Sequence, residues 1–230
     1  MRQLHPVSFH EKFVASGTYT IGWGGKATGD VEHWTLHEPG AGSLTIRSDW
    51  DGRAGSGASW LFEGFTVASS RHGMERFDYQ LLNRTRSAIV SYLFDQETVQ
   101  SLIRVDEMTA EIAPMPLPAD AMVCPPSFVA AYWFVLRLLR QGRTEAAVLE
   151  VPVSDRNFAS FSEVRIEPVG ESMCEVAGAS YPVSGYRLTV DGAVDGDCWF
   201  DRFGILMRYQ KPRGQSVLLT TYVHRPEPTA

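Results

Sequence analysis

Two histidines four residues apart, His33 and His37 in VEHWTLHE (31–38), are the first residues whose types and spacing could do chemistry. On a helix such a pair sits on one face about 6 Å apart and can share a zinc ion. The stretch also alternates as a strand. Val31, His33, Thr35 and His37 then fall on one side, and Glu32, Trp34, Leu36 and Glu38 on the other. A strand rises about 3.3 Å per residue, which separates the two histidines by about 13 Å. Side chains that far apart cannot both reach one ion at about 2 Å. The flanking turn signals TGD and PGAG favour the strand, so no metal is expected. His5, His10, His72 and His224 add no metal-like spacing.

Other candidate motifs weaken on inspection. GWGGKATG (22–29) has the look of a phosphate loop, but G-x-x-x-x-G-K-[ST] needs Gly at 20 and Ser or Thr at 27; the chain has Thr20 and Ala27. A hairpin turn is expected there instead. No G-x-S-x-G elbow is present. RHGMER (71–76) gathers His72, Glu75 and Arg76, which could form an acid–base site or a solvated turn. Asp191, Asp195, Asp197 and Asp201 lie in or beside DGAVDGD, but the calcium-loop order is absent and a hairpin loop is expected. The sequon NRT (83–85) matters only for an exported chain. Cys124, Cys174 and Cys198 are an odd set without C-x-x-C spacing, as in free thiols of a reducing cytoplasm.

The elements that must position these residues are mostly strands. Period-2 runs separated by Gly-rich turns recur from FVASGTYTIGW (13–23) through SVLLTTYVH (216–224). In the first run, Phe13, Tyr19, Ile21 and Trp23 are expected on one face. PMPLP (114–118) reads as a linker. CPPSFVAAYWFVLRLLRQGR (124–143) reads as the one helix, over about 126–141, with Pro125 and Pro126 at its start and Gly142 as its C′ residue. Apolar residues nearly surround that helix, so it should cover an apolar surface. The expected fold is mainly β: a curved antiparallel sheet forming an open or half-closed barrel, with one central helix packed on the concave face. Residues 1–230 form a single domain, with a disordered tail from about 225.

Bulk properties narrow the function. The 230 residues carry a net charge of −6 and no basic block, which argues against nucleic acid. The N-terminal MRQLHPVSFHEKFVASG lacks a signal peptide's apolar core. The longest apolar run, FVAAYWFVLRLL (128–139), is too short to span a bilayer. A cytoplasmic protein, monomer or dimer, without a cofactor is expected. What stands out is the aromatic load. A half-closed barrel has a concave face that side chains alone do not fill, and a helix across it can leave a pocket. Trp23, Trp34, Trp60, Tyr79, Tyr92, Tyr132 and Trp133 are the expected pocket residues.

In CPPSFVAAYWFVLRLLRQG, in YPVSGYRLTV and in CWFDRFGILMRYQ, the chain resembles the half-barrel superfamily of bacterial lipoprotein carriers and glycolipid-binding proteins. It is most similar in layout to an uncharacterised bacterial family of that type. The resemblance implies a sheet curved around a helix and a hydrophobic cavity for an acyl or similar chain. The expectation is therefore non-enzymatic binding of an apolar or amphiphilic, lipid-like small molecule. The alternatives are a structural or protein-interaction module, and an enzyme with a polar site near His72.

Overall fold

The structure, a computed structural model, describes residues 1–82, 87–105, 108–153 and 159–225. The sequon at 83–85 and the tail from 226 lie outside the described residues. Arg225 does not belong to a loose tail, because its amide donates to the Val14 carbonyl at 2.8 Å.

Eight strands precede the central region: β1 (Lys12–Trp23), β2 (Lys26–Glu38), β3 (Ser43–Asp51), β4 (Ser59–Val67), β5 (Arg76–Leu82), β6 (Ser87–Phe94), β7 (Thr98–Val105) and β8 (Met108–Pro116). A short β9 (Met122–Cys124), the helical pieces α1 (Phe128–Ala131) and α2 (Trp133–Arg140), and β10 (Glu145–Glu150) follow. The chain ends with β11 (Ser160–Val176), β12 (Ala179–Val190), β13 (Ala193–Phe200), β14 (Leu206–Gln210) and β15 (Gln215–His224). All fifteen strands form one sheet in the order β8-β7-β6-β5-β4-β3-β2-β1-β15-β14-β13-β12-β11-β10-β9. The sheet is curved and does not close into a barrel. So large an open sheet must curl. Bulges in the β1–β2, β1–β15 and β12–β13 pairs, among others, add local bend.

The topology explains the helix. Every neighbouring pair is antiparallel except β9 and β10, which run parallel with Val148 opposite Met122. Parallel neighbours cannot be joined by a hairpin; they need a crossover, and α1–α2 is that crossover. It lies across the concave face, with Val129, Phe134, Val135 and Leu138 buried in the core.

Where strands were expected the structure has strands, with four refinements. Pro114–Pro116 of the PMPLP linker end edge strand β8, and β9 is too short to read by alternation. In β1 a bulge at Val14 puts Phe13 on the convex face against His37, with ring centroids 6.0 Å apart, while Tyr19 and Ile21 stay in the core. DGAVDGD is not a loop: Asp191 and Gly192, both with positive φ, make a two-residue turn and β13 begins at Ala193. The helix starts at Phe128 because Ser127 after the two prolines is still extended (φ −148°), and it breaks at Tyr132 (φ −103°, ψ 12°). Its C-terminus follows expectation. Gly142 has φ +68°, its amide meets the Leu139 carbonyl at 3.0 Å, and Arg143 N–H meets Leu138 at 2.9 Å, a Schellman closure.

The convex face is partly covered as well. Residues 1–11 run over it, pinned by Arg2 to Asp49 (2.7 Å), His5 to Glu63 (3.0 Å) and Glu11 to Arg47 (2.7 Å). Arg47 also meets Glu63 at 2.9 Å, so a buried charge network lies beneath the strap.

Candidate functional site

VEHWTLHE lies within β2, with Glu32, Trp34 and Leu36 turned into the core. His33 and His37 take the convex side. His33 Nδ1 pairs with the Thr18 hydroxyl at 3.0 Å, and His37 is 7% exposed beside Phe13. Among the described residues no three His, Cys, Asp or Glu side chains gather to hold a metal ion. The four aspartates are separated in use. Asp191 accepts from Glu163 N–H, Asp195 meets Lys211, Asp197 meets Arg187, and Asp201 accepts from the amides of Phe203 and Ile205.

The core-facing side of β2 builds the helix seat. The Glu32 carboxylate accepts from the Ser127 hydroxyl at 2.6 Å and from the Phe128 amide at 2.9 Å. It thereby supplies the first helical turn with the acceptor that the Ser127 side chain does not provide. Burial pushes the Glu32 carboxyl up to about 7, against the pull of these hydrogen bonds. Beside it Trp60 donates its indole N–H to the Pro126 carbonyl at 3.0 Å and stacks on Trp50 at 4.4 Å.

Beyond this seat, between α2 and the β1–β4 part of the sheet, lies a cavity of about 430 Å³. Leu36 and Leu44 wall it from the sheet, Met74 and Val123 from below, and Phe134 and Leu136 from the helix. The turn at Phe203–Ile205 closes one side. Gly204, at φ +86°, lies against Leu136 so closely that a Cβ would come within 2.7 Å of its Cδ1. Arg137, Arg140, Glu38 and His224 also line the space. Arg140 is exposed and the other three are half-buried, which places them toward the mouth.

A second cavity of about 280 Å³ lies on the β9–β14 side of the helix, and Phe134 borders both. Tyr132, Glu150, Asp195, Lys211 and Cys124 line it. Lys211 meets Asp195 at 2.9 Å, and the Tyr209 hydroxyl donates to the same carboxylate. Tyr209 reaches it because Gly196 has no Cβ; one would stand 2.7 Å from the ring. Burial pushes the Cys124 thiol up to about 12, so it stays protonated at neutral pH and is a poor nucleophile.

The seven aromatic residues expected around a pocket divide between these places. Trp133 lines the larger cavity and Tyr132 the smaller. Trp60 holds the helix start. Trp34 is buried against Tyr19 at 5.9 Å, and Tyr79 and Tyr92 stack with Phe77 in a filled aromatic layer. Trp23 is 57% exposed at the two-residue Gly24–Gly25 turn, beyond the reach of the helix, and lines neither cavity. The larger cavity instead depends on aliphatic residues and on two arginines. The β2 alternation already aimed Leu36 inward. The arginines read only as cations at a helix C-terminus.

His72, Glu75 and Arg76 do not converge. His72 is buried with Nδ1 on the Ala121 carbonyl at 2.8 Å, Arg76 is exposed, and among the described residues no hydrogen bond or ion pair links the three. No helix among the described residues is long and apolar enough to cross a membrane. No protein-family model, no curated protein and no solved structure matches this chain.

Proposed function

We propose that this protein binds an amphiphilic, lipid-like small molecule between the concave sheet and α2, without acting on it chemically. The observation that carries this reading is the cavity of about 430 Å³, walled by Leu36, Leu44, Met74, Val123 and Phe134. Small-molecule sites commonly occupy 300–1,000 Å³ with mostly apolar walls and a few placed polar groups. The resemblance to the half-barrel lipid carriers belongs to the same proposal. So does a cytoplasmic setting, to which the three unpaired thiols Cys124, Cys174 and Cys198 are suited.

The test is displacement of a fluorescent fatty-acid probe, with native mass spectrometry of the purified protein. The wild type is expected to take up one probe per chain. Leu44→Trp, which fills the cavity from its half-buried sheet wall, is expected to abolish uptake with little change in melting temperature. Absence of uptake by the wild type, or full uptake by a folded Leu44→Trp, defeats the reading.

A further inference from the structure

Resting on that reading, the geometry points to an anionic head on the bound amphiphile: a carboxylate or phosphate held by Arg137 and Arg140, with a single chain directed inward toward Met74, Val123 and Phe134. Trp133, Arg137 and Arg140 are spaced four and three residues apart on α2, so they share one helical face. That face borders the cavity.

Arg137 is the informative residue. Its Nε is buried without a hydrogen-bond partner, and among the described residues no carboxylate lies within ion-pair distance of it. Arg47 has Glu11 and Glu63, and Arg187 has Asp197, whereas Arg208, whose Nε is also buried without a hydrogen-bond partner, lies over the Trp199 ring at 3.9 Å. Arg140 also forms no ion pair among the described residues. Burial makes Arg137 a weaker base than usual, and Glu75 offsets this only through its longer-range field. A half-buried cation without a partner is costly, and a ligand oxygen pair is the partner that a guanidinium fork fits.

The surrounding charge agrees. Two guanidiniums line the cavity against one carboxylate, Glu38, and His224 is stacked on Phe203 with ring centroids 3.9 Å apart. The chain as a whole carries −6, so the positive mouth runs against the molecule's balance. The other side of Phe134 is the reverse, with Glu150 and Asp195 against Lys211. The anionic end therefore belongs at α2's arginines and only the apolar chain points toward Phe134.

Isothermal titration of the full chain with four probes separates the possibilities: palmitate, palmitoyl lysophosphatidate, monopalmitoylglycerol and inorganic phosphate. The two anionic lipids are expected to bind roughly tenfold tighter than the neutral ester at low salt. The gap should narrow as salt is raised. Arg137→Gln with Arg140→Gln should bring all three lipids within about twofold of one another, whereas Arg143→Gln, whose residue pairs with Asp120 outside the cavity, should keep the gap. Should the double variant not fold, Arg140→Gln at its exposed position reads the same loss in part. Equal affinity for charged and neutral lipids overturns the anionic head and leaves the binder standing. Phosphate binding as tightly as lysophosphatidate overturns it too, by making this a plain anion site. Failure of all three lipids removes the binder reading, and the head with it.

Discussion

Glu32 shows how one residue can serve the fold at a cost that pH reveals. Its carboxylate seats the first turn of α1, and burial raises its pKa from 4.5 to about 7. Between those values the folded chain holds a proton that the unfolded chain has lost. Stability from this group therefore falls as pH rises from about 4.5 to about 7. Glu32→Gln keeps an acceptor for the Phe128 amide, turns its NH2 as a donor toward the Ser127 hydroxyl oxygen, and removes the titration. Urea unfolding at pH 5 and pH 8 should show the variant gaining on the wild type at the higher pH. A difference between the two proteins that is the same at both pH values contradicts the assignment. The sequence revealed the side on which Glu32 lies, because the alternation of β2 groups it with Trp34 and Leu36. Its partner was hidden, since nothing local says that Ser127, 95 residues on, comes to rest above it.

At the scale of elements, the helix and the turn at 201–205 form one wall of the cavity. Asp201 ties that turn with bonds to Phe203 N–H at 2.9 Å and Ile205 N–H at 2.8 Å, and takes the Tyr222 hydroxyl at 2.8 Å. Gly204 meets two demands there: a positive φ and the absence of a Cβ facing Leu136. Gly204→Ala should cost about 1–3 kcal/mol by chemical denaturation, from the strained conformation and the lost fit. It should also weaken probe binding, because Leu136 must shift. Unchanged stability would show that the turn is free to move away from the helix. Element types were legible because two-residue and helical periods are local properties of the chain. The bulge at Val14 and the break at Tyr132 were not, because each meets a residue distant in sequence: Phe13 meets His37 of the next strand, and Tyr132 of the helix meets Tyr209 of β14 at 4.9 Å.

The whole molecule is two meanders sharing a seam. The seam pairs the first strand with the last, with Ala15 opposite His224 and Trp23 opposite Gln215. Each meander could be read from turns such as Gly24–Gly25 and Asp191–Gly192; the seam could not, because it joins the two ends of the chain. The seam lies in the middle of the sheet, so the weak margins are elsewhere. At one edge Pro114 and Pro116 deny β8 two backbone donors, which guards it against pairing with another chain. At the other edge β9 has three residues; among the described residues β10 is the strand that pairs with it, and its Val123 amide donates to the His72 carbonyl at 3.1 Å.

That second margin also holds the helix. The stretch from β9 through α2 belongs to the sheet's outermost position, so breaking its ties to Glu32, Trp60 and His72 frees it without parting the β1–β15 seam. In amide hydrogen exchange, residues 122–143 should open as their own cooperative unit, at a lower free energy than β1, β2 and β15. Saturating the cavity with palmitate should slow exchange in that unit far more than in the seam. Exchange at one uniform rate across both regions would mean that the concave face is uncovered only when the whole protein unfolds.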